Sequence, residues 1–432
     1  MDPSGALDRK ENPDIPDLIG EGVDTPRPAK MRMEAFKALG NRDFRWYWAG
    51  LLAAFNSMQM QMVARGWLVY TMTDSSLALG LVTAGFGISM FVFSLYGGAI
   101  ADRVNKRNLM VITRGGIGLV SLIITILITF DRIELWHLII SSFISGVFMA
   151  FNMPGRQAFL MELMGKDALL NAIALNSIAL NICRIGSPAL AGVLIKLIGL
   201  KGVYWIISLS NVVVVLTLLM IPPGKVEKSD NRARILKDVL EGFTYVRQNR
   251  IILLLLLLGF VPILTAMPYQ LLMPVFAKTV FKAGETGLGL LMSAVGLGAL
   301  SGSTLIASLG DIKSKGLVQI FAGFIFGGFL ILFALSPSII FALVFLFVAG
   351  IGSSMYMTLN NTLVMTHTPE ELVGRVMSIY MMTFGLMPLA ALPAGALADI
   401  IGAPFTVGGG ALILVVFILF VSVYTPQVRK LK

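Results

Sequence analysis

Twelve apolar runs follow one another along the chain, separated by short polar gaps. Their approximate limits are 44–71, 77–99, 108–130, 135–158, 169–198, 202–222, 251–277, 286–309, 316–335, 338–364, 372–401 and 403–424. Each supplies the roughly 20 apolar residues that a helix needs to cross a bilayer core. The pattern predicts an all-α membrane protein of about twelve transmembrane helices. Most gaps are too short to fold alone. The exception, 223–250, divides the runs six and six, which predicts two six-helix bundles at 43–222 and 251–424.

The long gap opens with Pro222, Pro223 and Gly224, which stop the preceding helix. Beyond it, Ile235, Leu236, Val239, Phe243 and Val246 recur at helical spacing among Arg232, Arg234, Lys237, Arg247 and Arg250. This predicts an amphipathic helix lying on an anionic membrane face. Residues 1–42 are polar, carry Pro13, Pro16, Pro26 and Pro28, and show no signal-peptide pattern; they read as a disordered cytosolic tail. Residues 425–432 read as a short C-terminal tail.

Orientation follows from the basic residues. With the N-terminal tail inside, the gaps on the opposite side hold only Arg132, Lys196, Lys201, Lys278 and Lys282 of the 34 Lys and Arg. Arg65 and Arg184 fall within runs, and the remainder, with Arg114 and Arg156 counted beside their nearest loops, collect on the tail side. Both termini are therefore expected in the cytosol.

The halves repeat. Asn152 and Glu162 recur as Asn360 and Glu370, each 208 positions later. Gly192–Gly199 reads G-V-L-I-K-L-I-G, and Gly395–Gly402 reads G-A-L-A-D-I-I-G. An even number of helices per half implies parallel repeats about an axis along the membrane normal.

Composition agrees: 56% of residues are hydrophobic, 13% are charged, and mean hydropathy is +0.83. A soluble domain carries about 25% charged residues, so lipid is the solvent. The net charge of +10 is spread over loops and forms no stripe on a soluble domain, which excludes nucleic acid as a partner. Cys183 is the only cysteine, and His137 and His367 are far apart, so neither a disulfide nor a metal cluster is expected. With no phosphate-binding loop and no nucleophile–base–acid set, the chain reads as neither ATP-driven nor an enzyme, and no cofactor is expected.

Between runs 2 and 3 stands Gly98-Ala99-Ile100-Ala101-Asp102-Arg103-Val104-Asn105-Lys106-Arg107. Gly98 permits close helix approach, Asp102 places a carboxylate where a helix N-terminus or an arginine can hold it, and Arg103, Lys106 and Arg107 anchor the loop. Such a cluster can latch two halves together and release them. At these residues the chain resembles the major facilitator superfamily, whose loop motif is G-x-x-x-D-R followed by basic residues. The stretches Ala64–Tyr70, Pro154–Phe159 with Glu162, Asn171–Asn176 and Glu241–Val246 resemble the exporter branch of enterobactin exporters and related drug/proton antiporters. Arg184–Gly192 is similar to that superfamily's antiporter motif G-P-x-x-G-G, with Pro188 kept and Ser187 and Ala191 replacing glycines. The resemblance implies the major facilitator fold, efflux and proton coupling.

Several polar residues fall inside runs. Arg184 lies near mid-span, where an arginine costs about 2.5–3.5 kcal/mol on insertion scales, so it should face a cavity or a polar partner. Asn56, Gln59, Asn176, Asn181, Gln270, Asn360 and Asn361 are further candidates for substrate binding. Arg65 lies 21 residues past Phe44, about 32 Å of helix, and is expected to snorkel to the outer interface. Of the 24 acids only Asp399 falls inside a run, near its outer end. Gating and coupling are thus assigned to Gly98, Asp102, Arg103, Lys106, Arg107, Glu162, Pro188 and Asp399, with Glu162 expected to pair with Arg103 or Arg107 in the outward-open state. The expected function is secondary active export of siderophore- or drug-like amphiphiles, with a small-molecule substrate, membrane lipid and a coupling proton as partners. The alternatives are an importer of a small anion and a non-transporting scaffold.

Overall fold

A computed structural model of the chain describes residues 37–101, 104–223, 243–310, 314–385, 387–429 and 431. Among these every regular element is a helix. Twelve long helical passages can be followed: α1 (Arg42–Thr73), α2 (Ser76–Ala101), α3 (Lys106–Thr129), α4 (Leu135–Gly165), α5 (168–198), α6 (200–219), α7 (Arg250–Val280), α8 (Gly284–Ser308), α9 (Lys315–Ala334), α10 (Ile339–Thr366), α11 (Glu370–Gly385 and Met387–Ile401) and α12 (Ala403–Tyr424). This is an all-α, multi-pass membrane protein. Its lipid-facing surface explains the many exposed Leu, Ile, Val and Phe side chains, such as Leu209, Ile340 and Phe405.

Local chemistry sets the breaks. Asn41, Asn105 and Asn249 cap α1, α3 and α7, each accepting main-chain N–H bonds through its side chain. Gly165 (φ 63°), Gly199 (φ 72°) and Gly402 (φ 88°) take the left-handed backbone that lets α4, α5 and α11 turn directly into their successors. Pro262, Pro268 and Pro274 break α7: regular helix gives way to turns between Thr265 and Tyr269, where Met267 N reaches back to Pro262 O and Tyr269 N to Ala266 O, and it ends in a wide π turn, Phe276–Val280.

Helices α1–α6 pack on one another, and so do α7–α12. In the first group the buried Asn152 on α4 donates to Thr113 Oγ1 on α3 at 2.8 Å; in the second, Asn360 on α10 accepts from Gln319 Nε2 on α9 at 2.8 Å. The two groups meet through α2 with α11 and α5 with α8. These seams lie at the ends opposite the 223–249 linker, here termed the far face. A β-carbon on Gly192 would lie 2.5 Å from Glu285 O, and one on the corresponding Gly395 would strike Ser76 O. The same glycine thus brings the backbone of α5 onto α8 and that of α11 onto α2.

Both expected tails are shorter than the sequence implied. Residues 37–40 form a 3₁₀ turn with Ala38 buried, and Pro426–Arg429 is a helical turn with Val428 buried. Gly316 N donates to Leu431 O, tying the chain's end to the start of α9. Apolar anchors hold these segments where polar tails were expected. Residues 1–36 and most of the expected amphipathic helix, including Ile235, Leu236 and Val239, lie outside the described residues; Phe243 and Val246 fall on a helical turn at 243–248, with Val246 buried.

Candidate functional site

Between the two helix groups, midway along α1, α5, α7 and α8, lies a cavity of about 250 Å³. Gln59 on α1, Arg184 on α5 and Gln270 on α7 supply its polar wall, and Met62, Met273 and Met292 supply much of the rest. Among the described residues Arg184 is the only charged one in the lining, and its side chain is exposed. The break in α7 places Gln270 there, one residue after the helix resumes at Tyr269. Pro188 reaches the same wall, and its carbonyl packs where a β-carbon on Gly289 would lie 2.5 Å away.

The other candidates are elsewhere. Asn360 is fully buried against Gln319, so its amide ties α9 to α10. Asn56 turns its amide toward Met60 Sδ (3.4 Å), and Asn176 and Asn361 each bury an Oδ1 with no hydrogen-bond partner. Asn181 is half-buried and, like these, not in the cavity wall. Helical periodicity explains the split: residues on the same run face different neighbours.

Above the cavity the far face is shut. Asp399 on α11 accepts from Ser76 N (2.6 Å), Ser75 Oγ (2.7 Å) and Leu77 N (3.0 Å), capping α2 from the opposite helix group. Tyr70 OH bonds Thr279 Oγ1 at 2.8 Å, Lys278 pairs with Asp74 at 2.5 Å, and Ser293 donates to Ile185 O at 2.6 Å.

On the linker face the expected latch is only partly described. Asp102 and Arg103 lie outside the described residues. Gly98 sits in the last turns of α2, and its neighbour Gly97 makes a close approach there: a β-carbon on it would strike Ala150 O. In this state, with the far face closed, Glu162 pairs with Lys106 at 3.7 Å. Arg107 instead donates to the carbonyls of Leu218 and Leu219, since a cation at the C-terminus of α6 meets unpaired carbonyls there. Both contacts stay within α1–α6.

Arginines give the largest departure from the sequence reading. Arg65 does not snorkel; it donates to Ser142 Oγ on α4 at 2.7 Å. Arg114 is 5% exposed, and Arg156 lies over the Phe55 ring at 5.3 Å. Both are inside their helices rather than at the loops; Arg114, six residues into the run 108–130, offered a signal for this, whereas Arg156, two residues from the end of the run 135–158, offered none.

The model of the transmembrane secretion effector family, within the major facilitator superfamily, matches residues 33–431. This chain belongs to that family. Among relatives of the family, the staphyloferrin A transporter of Staphylococcus aureus is 25% identical over 363 residues, 83% of this chain and 90% of its own length. The enterobactin exporter of Shigella dysenteriae is 27% identical over 392 residues, covering 88% of this chain and 90% of that protein. Solved structures share the major facilitator fold. A nucleoside transporter, NupG, superposes with a TM-score of 0.73 at 13% identity, covering 88% of this chain and 99% of its own. An inward-facing bacterial homologue of the lysosomal transporter Spinster gives 0.67 at 13%, covering 91% and 98%. The secretion effector chain is therefore a secondary membrane transporter and not an enzyme, as the sequence reading expected.

Proposed function

We propose that this transporter exports anionic, amphiphilic molecules of siderophore or drug type by alternating access. The observation that carries the reading is the central cavity, in which Arg184 is the only charge among the described lining residues, beside amide and thioether side chains. A guanidinium offers paired donors to a carboxylate or catecholate. Methionines repack around varied apolar parts. The names of the relatives, a staphyloferrin A transporter and enterobactin exporters, support this cargo class.

In this reading the linker and both chain ends are cytosolic, and residues 43–222 and 251–424 move as two six-helix bundles. On the same reading the sealed far face corresponds to a cytosol-open state, poised to load. A proton entering from outside is the expected driving partner, with Asp399 the described acid best placed to meet it.

The test is binding and transport in proteoliposomes. Iron-free citrate-type and catecholate siderophores should bind wild type and lose about tenfold or more in affinity in Arg184→Ala, since a hydrogen bond to a charged group contributes about 1.5–3 kcal/mol. Everted vesicles should accumulate the ligand and alkalinise their lumen as protons leave. Accumulation in right-side-out vesicles instead, or undiminished binding by Arg184→Ala, refutes the proposal.

A further inference from the structure

A second pocket lies inside the α1–α6 group, in its linker-side third, away from the central cavity. Tyr47 on α1, Met110 and Arg114 on α3, Arg156 on α4 and Leu218 on α6 form its walls. Its free space is about 10 Å³, the size that admits one water or one monatomic ion.

The charge balance of this pocket is unusual. Two guanidinium groups face it, and among the described residues no carboxylate lines it. The ion pairs Lys106–Glu162, Lys201–Asp131 and Lys278–Asp74 do not involve Arg114 or Arg156. Asp43, one turn before Tyr47 on α1, joins neither of them. Arg156 Nη1 and the Tyr47 hydroxyl are buried without a hydrogen-bond partner. Both can donate, and the acceptor beside Tyr47, the buried Oδ1 of Asn176, is a neutral amide that cannot balance either charge. Burying a charge costs several kcal/mol even after relaxation, and two like charges in one site repel each other. Water would fill the space but leave both charges uncompensated.

We propose that this pocket binds a single halide-sized anion, chloride in the cell, held by Arg114 and Arg156 with the Tyr47 hydroxyl as a third donor. The anion would join α1, α3, α4 and α6 at the end where Arg107 and Lys106 already tie them. The site is independent of the cargo cavity, so its test does not depend on the nature of the cargo.

The probe is bromide. In purified full-length protein at fixed pH and ionic strength, replacing gluconate with bromide should raise the Tm saturably. Arg156→Gln and Arg114→Gln should each weaken the bromide dependence about tenfold or more, because each removes charge-assisted donors. In gluconate alone the Gln variants should be no less stable than wild type, since an uncompensated buried charge has been removed. Tyr47→Phe keeps the ring and should weaken bromide several-fold, which serves if an arginine variant fails to fold. Crystals grown in bromide should show an anomalous peak between the two guanidinium groups. A Tm indifferent to bromide, equal stabilisation by sulfate (too large for the pocket), or a pocket holding only water would each overturn the proposal.

Discussion

Asp399, near the end of α11, caps the start of α2: its Oδ1 accepts from Ser76 N at 2.6 Å across the junction of the two helix groups. The carboxylate satisfies N–H groups that a helix start leaves unpaired, and it sits at the positive end of the α2 dipole. The corresponding position on α5 is Lys196, whose sign is wrong for capping the start of α8. The two far-face seams therefore share a glycine but not a charge.

Removing this cap should open the far face. A lost N-cap costs about 0.5–2 kcal/mol, and the exposure of Asp399 puts the effect toward the low end. Asp399→Ala is expected to shift the population about fivefold toward the far-face-open state. A cysteine placed at Met292, with buried Cys183 replaced by serine, should then react faster with an impermeant thiol reagent applied to that face. An unchanged rate would rule out a gating role.

At the other seam, Gly289 allows α8 to meet Pro188 O. Gly289→Val forces the backbones apart, a strain of about 1–3 kcal/mol when a packed site is overfilled. Spin-label distances between the far-face ends of α5 and α8 should lengthen in this variant. Gly186→Ala, with open space around its added carbon, is the matched control and should leave the distance alone.

Asn360→Ala tests the buried amide that the sequence reading placed in the substrate site. It leaves the Gln319 amide without its partner, at a cost of about 1–3 kcal/mol. Thermal unfolding should register the loss while cargo affinity stays at the wild-type level. A drop in affinity with stability unchanged would return Asn360 to the cavity.

The Lys106–Glu162 pair is part-exposed and 3.7 Å long. Pairs of this kind contribute about 0–1 kcal/mol. Glu162→Gln should change Tm little, and because both partners lie in α1–α6 it should not alter opening of the linker face. Transport measured across pH checks this: a changed pH profile would show that Glu162 exchanges partners during the cycle.

The membrane class, the helix runs, the breaks at Gly199 and Gly402 and the family were legible in the sequence because they depend on local quantities: apolar length, backbone freedom and a contiguous loop motif. Gln59, Gln270 and Arg184 could be picked out as mid-span polar residues, yet so could Asn360 and Asn56, and nothing in one dimension separates those facing a cavity from those facing a neighbouring helix. That choice depends on helix rotation, on the proline-broken course of α7 and on which groups meet across the seams. Tertiary packing alone decided that Arg114 and Arg156 turn inward, that Asp399 caps a helix more than 300 positions away in the chain, and that Arg107 seals α6. In lipid every polar group must find a partner inside the protein; the sequence states which groups need one, and only the folded chain assigns it.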